Sequence, residues 1–83
     1  MDYRLALDLE ALRFLLSLNA SNRGRLLRWL ELLRNEPSKR GSFSVKDSTQ
    51  REIQVSLIFA FLIYHWADDA TKTVQVLKIE LNL

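Results

Sequence analysis

The sequence predicts an α+β domain with the element order β-α-α-β-β-β. Three observations carry this. Two stretches between Leu9 and Asn35 place leucines at helical spacing, a strictly alternating segment precedes them, and the apolar period switches to two after Pro37. With 83 residues, 48% hydrophobic and 27% charged, the chain is of globular composition and forms one domain, residues 1–83.

"DYRLAL" alternates Tyr3, Leu5 and Leu7 with Asp2, Arg4 and Ala6, the pattern of a short strand with one buried face. Asp8 is placed to cap a helix over "LEALRFLLSL", where Leu9, Leu12 and Leu16 form one stripe and Ala11, Leu15 and Leu18 another beside it. Asn19 and Ala20 interrupt it. Ser21 is the expected cap of a second helix through "RGRLLRWLELLRN", with Leu26, Leu30 and Leu33 inward, Trp29 alongside, and Arg25 and Arg28 outward. Pro37 ends that helix, because it lacks an N–H and disfavours helical geometry in the residue before it. The two helices therefore form an antiparallel hairpin.

Beyond Pro37, "GSFSVK" and "REIQVSL" alternate as two antiparallel strands joined by the turn-forming "DSTQ". The segment from Arg51 to Asp68 is too long for one ordinary strand, so a tight turn falls near Phe59 and Ala60 although both are apolar. "DDATK" supplies a conventional turn, and "TVQVLKIEL" closes the sheet.

The uninterrupted apolar run Leu57–Tyr64 is eight residues long, far short of the roughly 18–20 that span a bilayer, and charges bound it on both sides. A membrane anchor is excluded on length. No signal peptide is read in the acidic N-terminus, and the absence of cysteine fits a reducing cytoplasm. Net charge is +2, concentrated in the middle third, where Arg23, Arg25, Arg28, Arg34, Lys39, Arg40 and Lys46 face only Glu31 and Glu36. No glycine-rich phosphate loop is present, and a single histidine offers no metal-ligand cluster, so neither cofactor nor metal is expected.

Several strings resemble, in their order and spacing, the RelE/ParE superfamily of toxins from bacterial type II toxin–antitoxin systems: "EALRFLLSL", "WLELLRNEP", the glycine of "PSKRGSF", "REIQVSL", "LIYHWADD" and "VQVLKI". The resemblance covers nearly the whole chain. It implies a four-stranded antiparallel sheet with the helical hairpin on one face and a concave open face opposite. It also implies a toxin neutralised by a cognate antitoxin and acting on ribosome-bound mRNA as an endoribonuclease, or on DNA gyrase. In ribosome-dependent RNases of the family, cations on the open face hold the phosphates and stabilise developing charge. Here Phe59, Ala60 and Phe61 stand where the family carries basic or polar residues, and the chain runs "KIELNL" where an arginine and often a further helix follow. A non-catalytic binding or assembly module, pairing with a partner or with itself through the apolar hairpin, is the alternative.

Candidate residues divide accordingly. His65, the one imidazole, with Lys46 and Arg51 is the candidate catalytic set. Arg23, Arg25, Arg28, Lys39 and Arg40 are candidates for contacting nucleic acid or an acidic antitoxin segment. Phe59, Phe61, Tyr64 and Trp66 form the candidate partner interface, with one ambiguity: a one-residue register shift exchanges Phe61, Ile63 and His65 with Leu62, Tyr64 and Trp66 between the two faces.

Overall fold

The computed structural model describes residues 3–82, so Asp2, the first residue of the expected N-terminal strand, lies outside them, as does Leu83. The elements are β1 (Arg4–Leu7), α1 (Leu9–Ser17), α2 (Ala20–Asn35), β2 (Phe43–Lys46), β3 (Glu52–Ile58), β4 (Phe61–Asp68) and β5 (Thr73–Leu81). The sheet thus has five strands, one more than the expected β-α-α-β-β-β order counts, because the turn at Phe59 and Ala60 divides Arg51–Asp68 into two of them; the strand order is β1-β5-β4-β3-β2. Four of them form an antiparallel meander, but β1 pairs parallel to β5, from Arg4↔Thr73 to Leu7↔Val76. The meander leaves β5 with a free edge, and β1 occupies it. Its alternation puts Leu5 and Leu7 against the core, and the Asp8 amide continues the pairing by donating to the Val76 carbonyl at 2.9 Å.

Both helices pack on one face. Ala11 and Leu15 from α1 and Leu26, Leu30 and Leu33 from α2 meet Phe61, Ile63, Val74, Val76 and Ile79 of the sheet in one buried cluster. The expected inward stripe of α2 is therefore the observed one. On α1 the two stripes separate: Ala11 and Leu15 face the sheet, whereas Leu9, Leu12 and Leu16 face outward. The second helix is capped by Asn19, whose side chain accepts from the Asn22 amide at 2.8 Å, so Ser21 lies inside the first turn instead of capping it.

The β3–β4 turn falls where expected, at Phe59 and Ala60, between the paired Ile58 and Phe61. Phe59 has φ 56°, a left-handed conformation that glycine or asparagine adopts far more readily than an aromatic residue. At the other end of the sheet Gly41 lies flat on β3. A Cβ there would stand 2.5 Å from the Val55 carbonyl oxygen and 2.8 Å from its nitrogen, so only glycine permits this approach.

Candidate functional site

Cross-strand pairs share a face, so the core membership of Phe61 and Ile63 fixes the direction of every side chain in β4. Phe61, Ile63 and His65 point at the helices, while Leu62, Tyr64 and Trp66 point to the open face. Their partners carry the pattern outward. Ile53, Val55 and Leu57 on β3, then Phe43 and Val45 on β2, belong to the open face as well. Ile53 and Val55 are buried although no helix covers them. Around them Phe43, Val45 and Leu57 are exposed, Leu57 at 46%. With Leu62, this makes a largely apolar surface over β2, β3 and β4.

Polar groups sit at the margin of this surface, and most are already engaged. The Tyr64 hydroxyl donates to Glu80 Oε1 at 2.7 Å, and Lys78 Nζ lies 3.5 Å from Glu80 Oε2. That hydrogen bond, followed by partial burial, raises the pKa of Tyr64 above its ordinary 10.0, while the Tyr64 hydroxyl and Lys78 lower that of Glu80. A β-bulge between Tyr64 and His65 shifts the β4–β5 register here and brings Lys78 opposite Tyr64. Arg51 lays its guanidinium 4.0 Å from the centre of the Trp66 ring and reaches Asp47 at 3.6 Å. Asp47 organises the β2–β3 turn: Oδ1 accepts from the hydroxyl and amide of Thr49 and the amide of Arg51, and these bonds, with the Arg51 charge, lower its pKa.

His65 is 1% exposed on the helix side. Its Nε2 is 2.8 Å from Ser56 Oγ, and the Trp29 ring meets it edge-on at 5.6 Å. Burial lowers its pKa to about 4, which leaves the imidazole neutral at pH 7 and unable to act there as a cation for phosphate. The expected cluster of His65, Lys46 and Arg51 is not assembled as such. His65 and Arg51 line one pocket of about 300 Å³ with Lys39, Gln54 and Trp66, whereas Lys46 stands opposite Glu52 on the outer strand and does not line it.

The candidate interface is divided by strand parity. Tyr64 and Trp66 face the open side and Phe59 is 59% exposed, but Phe61 is 5% exposed, with its ring against Phe14 at a centroid distance of 5.9 Å. Phe61 is therefore a core residue, and the interface expectation is corrected there. The basic set disperses also. Arg23 donates to the Leu18 carbonyl at 3.1 Å and ties down the end of α1, Arg25 lies 5.1 Å from the Phe59 ring centre, and Arg28 lines an outer groove of α2 with Leu27, Glu31 and Leu32. Lys39 and Arg40 are exposed in the α2–β2 loop. Leu57, Leu62 and the Glu80–Lys78 pair beside Tyr64 are not among the candidates the sequence offers. The alternation of β3 and β4 contained them, but parity became decidable only when Phe61 met Phe14.

The fold itself is a known one. The chain superposes on the archaeal RelE of a RelE–RelB complex from Pyrococcus horikoshii with a TM-score of 0.78 at 18% identity, covering 99% of this chain and 97% of that one. It matches the toxin–antitoxin complex RelBE2 from Mycobacterium tuberculosis with a TM-score of 0.80 at 17% identity, covering 98% and 99%. The isolated E. coli RelE toxin gives 0.68 at 18% identity, covering 98% and 85%. No family model and no curated protein matches the sequence. The chain has the RelE fold. No helix among the described residues is long and apolar enough to cross a membrane.

Proposed function

We propose that this chain is the toxin component of a type II toxin–antitoxin pair of the RelE kind, and that its apolar open face is the surface a cognate antitoxin segment covers. The carrying observation is that surface: Phe43, Val45, Leu57 and Leu62 are gathered on the sheet face left free by the helices of a RelE fold. An exposed apolar patch on a small domain marks a binding site. The support from relatives is that the Pyrococcus and Mycobacterium proteins are toxin–antitoxin complexes.

The same face argues for action by binding rather than by mRNA cleavage. Phosphodiester cleavage without a metal needs cations converging on one phosphate and a group that exchanges a proton. On the open face Lys78 is drawn to Glu80, Arg51 is stacked on Trp66, and Tyr64 holds its proton against Glu80. Inhibition of a protein target such as DNA gyrase, or retention of antitoxin binding without catalysis, fits this surface better than ribosome-dependent RNase activity.

Induced expression in bacteria, with and without the reading frame beside this one, tests the proposal. The expected result is growth arrest relieved by the neighbouring protein, co-purification of the two chains, and intact mRNA on primer extension. Normal growth at confirmed high expression, with no complex formed, overturns the toxin reading. Cleavage at ribosomal A-site codons would overturn the non-catalytic part of it.

A further inference from the structure

The open face has a second half, over β1, β5 and the end of β4, and it is polar. Leu5, Val74 and Val76 pack in the helix-side core, so their strand neighbours Arg4, Ala6, Thr73 and Gln75 point the other way, and Asp68, paired with Thr73, shares that face. One cross-strand row runs Arg4, Thr73, Asp68, and the next sets Ala6 beside Gln75. With Thr71 of the β4–β5 turn they line a hollow of about 450 Å³, to which Ala6 contributes only a methyl group. Arg4 and Asp68 stand two strand spacings apart, roughly 10 Å between backbones, and form no ion pair with each other or with any described residue. The hydrogen bonds of the hollow leave its recognition groups open. The Thr73 hydroxyl donates to the Thr71 carbonyl at 3.1 Å and the Thr71 amide to Asp68 Oδ1 at 3.4 Å, and neither the Arg4 guanidinium nor the half-buried Gln75 amide is drawn into them.

We propose that this hollow binds a small zwitterion, a free α-amino acid, with its carboxylate on the Arg4 guanidinium, its ammonium on the Asp68 carboxylate and its side chain towards Gln75. A lone anion entering the hollow meets Arg4 but also the repulsive Asp68, and a lone cation meets the reverse, so the pair of walls favours a ligand that carries both charges. The guanidinium presents a carboxylate with parallel N–H donors, and an ammonium has three N–H groups to share between Asp68 and its neighbours. The volume lies within the range of about 300–1,000 Å³ usual for small-molecule sites. The hollow shares no residue with the apolar patch on β2, β3 and β4, and its occupancy does not depend on the toxin reading.

NMR titration of the ¹⁵N-labelled chain with glycine, L-serine and L-glutamine tests this, with acetate and methylammonium chloride as references that carry one charge each. Both charged groups reach solvent, so binding in the millimolar range is expected. At least one of the three amino acids should move the backbone amide signals of Ala6, Thr73 and Gln75 saturably, and neither reference should. Arg4→Gln and Asp68→Asn should each weaken binding about fivefold, the loss of one solvent-screened charge contact. Ala6→Leu fills the hollow from the face opposite the core and should abolish binding. Arg4 is exposed, so its variant decides the matter if either of the others does not fold. Signals that none of the three amino acids moves, a drift that does not saturate, an equal response to acetate or methylammonium, or an affinity unchanged in the folded variants would overturn the proposal.

Discussion

Ser56 Oγ and His65 Nε2 lie 2.8 Å apart on neighbouring strands, both side chains sealed between the sheet and α2. The only imidazole in the chain is thus a structural partner inside the helix-facing layer. Burial removes its charge, and the hydroxyl satisfies one of its nitrogens.

That arrangement makes stability depend on mild acid. His65 titrates near 6.5 when unfolded but only at about 4 when folded, so below pH 6.5 the unfolded chain takes up a proton that the folded chain refuses. Stability should therefore be full above pH 6.5 and fall as pH drops towards 4, by up to about 3 kcal/mol from this group. Urea unfolding at pH 7.5 and pH 4.5 measures the fall, and His65→Gln should flatten it while leaving the contribution of the carboxylates in place.

Phe59 and Phe61 stand two residues apart and should respond in opposite ways. Phe61→Ala opens a cavity against Phe14 and should cost about 3–5 kcal/mol of stability. Phe59→Gly relieves a left-handed backbone and removes only an exposed ring, so stability should stay within about 1 kcal/mol while binding of the proposed antitoxin weakens. Chemical denaturation and calorimetric titration separate the two effects.

Gly41→Ala should destabilise by about 1–3 kcal/mol, because the new methyl meets Val55 backbone atoms at 2.5–2.8 Å and the loop must lift. The shift would also release the Gly41 amide from Gln54, which chemical denaturation with amide hydrogen exchange at residue 41 detects.

Tyr64 should not ionise near neutrality. Ultraviolet titration of the phenolate band is expected to give midpoints above 10 for both tyrosines, since Tyr64 is bonded to Glu80 and Tyr3 donates to Asp69 Oδ1 at 2.5 Å. A tyrosine ionising between pH 7 and 9 would reopen a general-base role for Tyr64.

Much of the fold was legible in the sequence, because periodicity reports local geometry. The inward leucines of α2, the end of that helix before Pro37 and the apolar turn at Phe59 all follow from spacing. What spacing does not encode is long-range pairing. The parallel union of β1 with β5 joins the two ends of the described chain, and nothing in "DYRLAL" specifies a partner. Parity of the run after Ala60 was equally open: Phe61 and Leu62 are interchangeable in hydrophobicity, and only the fit to Phe14 selects one. The cap of α2 falls at Asn19 rather than Ser21, two residues of similar capping propensity, because the Asn19 side chain reaches the Asn22 amide. For the site, charge counting located the basic middle third but could not foresee that Arg23 would secure a helix end, or that Trp66 would keep a buried donor without an acceptor.

The position of β5, between β1 and β4, has a consequence for the birth of the molecule. β1 is made before its sheet partner β5, so this edge of the sheet stays unpaired until residues 73–81 are available to it. Closing such a distant pair is slow compared with local helix formation. The layer that the helices cover therefore closes last along β5, after the local hairpins joining β2, β3 and β4 are able to form.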